Sequence, residues 1–140
     1  MNTLLIVSGG IEVVPAIQHA KKMGLHVIVS DGNPNAPGIK FADDFIIAST
    51  YDVDDTVKKV KKYDKNIRNI NGVICIAADI PLTVSTIANE LGLPSISVES
   101  SKLSMDKIFM KNKFYEDSIP IPNYSEIHDL LDLEKFVERN

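Results

Sequence analysis

Ser8-Gly9-Gly10 lies between a short apolar run, Leu4 to Val7, and a helical pattern. A glycine turn between a strand and a helix presents free backbone N–H groups that hold an anion. Glycine also lets a ligand come close to the main chain. Glu12 stands at the same helix start. Asp31 ends the second apolar run, 21 residues after Gly10, where a dinucleotide-binding fold places its ribose-binding acid. The full G-x-G-x-x-G is missing, because Ile11 and Val13 stand where glycines are needed. Asp79 follows the fourth apolar run and has two readings, a ligand contact or the N-cap of a helix that Pro81 opens. Lys107 sits in Ser104-Met105-Asp106-Lys107 at a helix start. A cation there opposes the helix dipole. It gains a purpose if its ammonium reaches a phosphate; otherwise it is a solvated surface lysine.

Other chemistry is poorly supported. Cys75 lies in an apolar run and reads as an inert core residue. His19, His26 and His128 are scattered, and no pair has the spacing of metal ligands, so no zinc site is expected. No serine or cysteine triad is recognisable in the linear pattern. With Lys+Arg at 15 and Asp+Glu at 19, the net charge is −4. That balance argues against a general nucleic-acid or membrane-surface binder. The apolar runs are too short to span a bilayer, and the N-terminus lacks the features of a signal peptide. A single cysteine cannot form an internal disulfide and suits a reducing, cytoplasmic setting.

These residues need elements to hold them. The 140-residue length suits one ordinary core. Leu4–Val7 and His26–Val29 read as strands covered on both faces, with a helix between them that Gly24 ends. Phe45–Ile47 and Gly72–Ile76 repeat the strand pattern. Asp52 caps a helix over Val53, Val57 and Val60, with Asp55–Lys59 among its expected ion pairs. Pro81 opens a further helix that Gly92 closes, and Pro94–Val98 reads as a fifth strand. Helices follow over about 105–117, with Ser101 or Ser104 as cap, and over about 129–139. Strand–turn–helix repeats imply a three-layer α/β/α, doubly wound parallel sheet. All loops after its strands share one edge, so Gly9, Gly10, Asp31 and Asp79 are expected together there.

One series of residues carries a family likeness. It runs from the Gly-rich turn through Val29-Ser30-Asp31-Gly32-Asn33-Pro34-Asn35-Ala36-Pro37 and Ala42-Asp43. It continues with Leu91-Gly92-Leu93-Pro94, Asp106-Lys107 and Ile119-Pro120-Ile121-Pro122. The series resembles the N-terminal part of ATP-grasp enzymes such as carbamoyl-phosphate synthase, biotin carboxylase and the purine-pathway carboxylate–amine ligases. The resemblance implies a Rossmann-like pre-ATP-grasp domain over residues 1–98. Residues 99–140 would then be the opening helices of an incomplete ATP-grasp domain. It implies ATP and Mg²⁺ as cofactors of an intact enzyme, with Lys107 on the nucleotide phosphates. Ser8, Gly9, Gly10, Glu12, Asp31 and Asp79 would lie on the side of a small-molecule acceptor. The chemistry implied is activation of a carboxylate as an acyl phosphate, followed by attack of an amine or similar nucleophile. The metal ligands and second nucleotide wall of that family are not found in these residues. The chain is therefore expected to be an excised or truncated part, inactive alone and partnered by the rest of such an enzyme. Two other readings stay open: a nucleotide- or dinucleotide-binding Rossmann module, and a non-catalytic interaction domain that forms a homodimer.

Overall fold

The computed structural model describes residues 1–139. They pack as two units, Met1–Lys102 and Leu103–Asn140. The first unit holds four strands: β1 (Thr3–Val7), β2 (His26–Asp31), β3 (Asp44–Ile47) and β4 (Gly72–Ile74). They form one parallel sheet in the order β3-β2-β1-β4. Between them run α1 (Val14–Lys22), preceded by a 3-10 turn at Ile11–Val13, and α2 (Val53–Asn66). After β4 comes α3 (Pro81–Leu91).

Strand side chains alternate between faces, and here both faces are buried. Leu5, Val7 and Ile28 pack with Val60 of α2 and with Ile87 and Ala88 of α3. Ile6, Val27 and Val29 pack on the other side with Val13 and with Ile17 and Ala20 of α1. This is the three-layer, doubly wound architecture expected of near-continuous apolar strands. Each fully buried isoleucine or valine stabilises it by roughly 1.5–3 kcal/mol.

Local signals set the helix ends. The Asp52 carboxylate accepts from the Asp55 N–H at 3.0 Å and caps α2. Lys59 pairs with Asp55 one turn away at 2.6 Å. Gly24 (φ +78°) and Gly92 (φ +66°) end α1 and α3 in the left-handed region, which glycine enters without steric cost.

Three sequence expectations need correction. Among the described residues there are four strands, and Pro94–Val98 is not a fifth. Pro94 lacks an N–H for a ladder. The Ser97 hydroxyl accepts from the Ser100 N–H at 3.0 Å, so the chain turns straight into α4 (Val98–Met105). Asp79 does not cap α3. The pre-proline residue Ile80 takes the cap position with no side-chain bond, because proline drives its predecessor out of the helical region. Neither Ser101 nor Ser104 caps the next helix, α5 (Lys107–Glu116). Asp106 does, accepting from the N–H groups of Ile108 and Phe109 at 2.9 Å. The last helix, α6 (Leu130–Arg139), lies close to its expected span. Among the described residues no helix is long and apolar enough to cross a membrane.

The amino edge of the sheet is tied by polar bonds. Asp43 accepts from the Val27 N–H at 2.9 Å and pairs with Lys21 at 2.6 Å. Burial pushes its carboxyl up. Lys21, the Val27 N–H and the nearby His26 outweigh that and hold it below the usual value. Next to it, the Tyr63 hydroxyl donates to Asp44 at 2.7 Å. Burial and that carboxylate push the phenol up to about 12.

A lowered folded value means that the Asp43 contribution is present above the ordinary carboxylate value of 3.8. It is lost as pH falls through the lower folded value. We expect Asp43→Asn to flatten part of the acid limb of stability below about pH 4. Urea midpoints measured across that range check this. An acid limb unchanged by the substitution would exclude Asp43 as its source.

Candidate functional site

In an open parallel sheet, ligands bind outside the carboxyl ends of the strands, where neighbouring connections leave in opposite directions. That point here lies between β1 and β4. The chain leaves β1 toward α1 on one face and leaves β4 toward α3 on the other. Ser8-Gly9-Gly10 borders the point on one side and Cys75–Asp79 on the other. The four parallel strands place Gly9, Gly10, Asp31 and Asp79 on this single edge.

The turn after β1 is held in an unusual conformation. Ser8 has φ +83°, a region that costs a non-glycine residue of order 1 kcal/mol or more. The surroundings enforce it. The Ser8 N–H donates to the Ser30 carbonyl at 2.8 Å. The Gly9 N–H donates to the Asp31 carboxylate at 2.7 Å. The other Asp31 oxygen accepts from the Asn33 N–H at 2.8 Å. Asp31 is thus a clamp that fastens the first turn to the end of β2.

Close packing explains the glycines. A Cβ on Gly9 would lie 2.9 Å from a Val29 methyl and 3.0 Å from Ala36. Gly38 donates its N–H to the Gly9 carbonyl at 2.7 Å. A Cβ on Gly38 would lie 3.0 Å from that same carbonyl oxygen. Sequence reasoning missed Gly38. The signal was its place directly after Asn35-Ala36-Pro37 in a loop that starts at the clamp.

The remaining candidates divide. Gly10 precedes the helical segment with no side-chain cap on it, which leaves the helix start open to a ligand. The exposed Glu12 carboxylate folds back over Gly10, 2.5 Å from where a Cβ would stand. Asp79 is exposed in the loop after β4. Cys75 is half-buried there and its thiol donates to the Ala78 carbonyl at 3.1 Å. Lys107 belongs to the second unit and is exposed as the first residue of α5. Its ammonium makes no ion pair or hydrogen bond among the described residues. Among the described residues no three His, Cys, Asp or Glu side chains cluster closely enough to hold a metal.

Solved structures share this arrangement over the whole chain. Phosphoribosylglycinamide synthetase from Anaerococcus prevotii matches with a TM-score of 0.78 and 21% identity, over 99% of this chain and 34% of that one. N5-carboxyaminoimidazole ribonucleotide synthetase from Thermotoga maritima matches with a TM-score of 0.71 and 26% identity, over 99% and 36%. The Staphylococcus aureus N5-carboxyaminoimidazole synthetase, complexed with ADP, matches with a TM-score of 0.73 and 20% identity, over 98% and 35%. These neighbours are ATP-grasp ligases, and the matched region is their N-terminal part. The chain spans about a third of the length of these structures. No protein-family model matches the sequence, and no curated protein does.

Proposed function

We propose that this chain is the N-terminal, substrate-side part of an ATP-grasp ligase that activates a carboxylate as an acyl phosphate for attack by an amine or similar nucleophile. One observation carries the reading. The chain matches the N-terminal part of such ligases over 99% of its length, at 26% identity in one case. Residues 1–98 then form the acceptor-side domain and residues 99–140 the first helices of the nucleotide-binding part. Ser8, Gly9 and Gly10 lie beside the acceptor, with Glu12 and Asp79 flanking it. Asp31 acts through the turn that it holds. Lys107 takes a nucleotide phosphate, and the magnesium ligands come from residues outside this chain.

The sequence of the first turn disfavours a dinucleotide-binding module. That reading needs the glycines of a full G-x-G-x-x-G at the first turn, and Ile11 and Val13 stand where they are required.

An acyl phosphate leaves a chemical trace. In a protein that carries this chain together with the remaining two-thirds of such a ligase, ADP release should depend on a carboxylate. Hydroxylamine should then trap a hydroxamate. The 140 residues alone should release no ADP, because phosphoryl transfer needs metal-clamped phosphates. Carboxylate-independent ADP release with no hydroxamate, across a panel of amino acids and bicarbonate, would overturn the proposal.

A further inference from the structure

Asn71 directly precedes β4 and Gly72 opens it. Of the asparagines in residues 1–139, only Asn71 is followed by a glycine. A residue without a Cβ leaves its backbone nitrogen unscreened. That nitrogen can attack the side-chain amide of the asparagine before it. Asn71 is exposed, so water and hydroxide reach it.

The fold does not require this glycine. A Cβ on Gly72 would meet a Leu4 methyl at 3.5 Å, an ordinary contact, and its φ is not positive. Gly9 and Gly38 have no such room.

The fold does hold the asparagine. Its side-chain oxygen accepts from the Thr3 N–H at 2.9 Å. Its own N–H donates to the Thr3 carbonyl at 2.9 Å. Both bonds end on a buried residue, and they lead into the β1–β4 pairing, where Leu4 faces Gly72. Attack by the Gly72 nitrogen needs the side chain turned back onto its own main chain, so Asn71 must first release Thr3. β4 is three residues long, and β1 is its one neighbour in the sheet. Release therefore needs a local opening of this edge and not global unfolding.

We propose that Asn71-Gly72 is a non-enzymatic modification site, guarded by the pairing of β4 with β1, whose isoaspartyl product can no longer take that pairing. The reaction needs only water and hydroxide. The Gly72 nitrogen gives its proton to hydroxide and attacks the Asn71 Cγ. A C–N bond forms, the bond from Cγ to the amide nitrogen breaks, and ammonia leaves with a proton from water. Water then opens the cyclic imide at either carbonyl. Opening at Cγ gives aspartate, which keeps an oxygen for the Thr3 N–H. Opening at the main-chain carbonyl gives isoaspartate, whose backbone runs through Cγ and is longer by one carbon. That puts Gly72 out of step with Leu4. The fault passes along β4 into the Cys75–Asp79 loop at the carboxyl edge.

Peptide mass spectrometry on the 140-residue chain in mildly alkaline buffer, with and without urea, follows the conversion. In urea Asn71 should convert faster than Asn35, which alanine follows. In the folded chain Asn71 should convert roughly ten- to a hundredfold more slowly, the factor that two hydrogen bonds represent. Gly72→Ala should keep the melting temperature and slow conversion in urea. Asn71→Asp should also keep the melting temperature. The isolated isoaspartyl chain should melt lower and lose hydrogen-exchange protection at Val73. Equal rates with and without urea would overturn the guard, and an Asn71 no faster than Asn35 would overturn the site. An isoaspartyl chain that melts like the wild type, or an Asn71→Asp chain that melts as low as the isoaspartyl one, would overturn the register fault.

Discussion

Asp31→Ala should lower the stability of the first unit by roughly 2–4 kcal/mol, through two lost charge-assisted bonds. The bond to Gly9 carries most of this. Gly9 is buried, and its N–H would be left without the carboxylate it meets at 2.7 Å. The bond to Asn33 is exposed and adds less. Asp31→Asn should recover only part of the loss, because its amide offers one acceptor oxygen where two N–H groups need one each. Denaturant unfolding gives the totals, and hydrogen exchange locates the effect. The Gly9 amide should exchange faster in both variants, while amides in the middle of β1 follow global stability. A loss below about 0.5 kcal/mol in the alanine variant would show that the turn holds its shape without the clamp.

That experiment also separates what the sequence could disclose from what it could not. Periodicity is a local signal. It revealed the buried strands around Leu5 and Ile28, the Asp52 cap and the glycine stops at Gly24 and Gly92. It failed where a local preference met a stronger neighbour. Asp79 has good capping chemistry, but Pro81 fixes the helix start one residue later. Ser97 begins α4 before Pro94–Val98 can pair as a strand.

The edge shared by Gly9, Gly10, Asp31 and Asp79 was legible because parallel strands leave no other arrangement for their following loops. The bond from Gly9 to Asp31 joins residues 22 apart, and the one from Gly38 to Gly9 crosses a comparable loop. Neither has a sequence signature, since both depend on the exact register of β1 against β2. Asp31 therefore read as a ligand contact, when its visible work is to hold the turn.

Lys107 lends itself to an opposite pair of measurements, one on folding and one on nucleotide. As the first residue of α5 it faces the positive end of the helix dipole, and it contributes no ion pair among the described residues. Lys107→Ala also installs a stronger helix former. The melting temperature of the chain should stay the same or rise slightly. Asp106→Ala is the structural counterpart. It removes the cap that accepts from Ile108 and Phe109 and should cost about 1 kcal/mol. With nucleotide the order reverses. In a ligase that completes the nucleotide site around this chain, losing the ammonium removes one charge-assisted phosphate contact, worth roughly 1.5–3 kcal/mol. ATP affinity should then fall by about ten- to a hundredfold, with acceptor affinity unchanged. Lys107→Arg should keep most of it, since the charge is retained. Calorimetric titration with ATP decides the matter. Unchanged affinity in the alanine variant would return Lys107 to the solvated surface, and a marked fall in melting temperature would make it a structural residue.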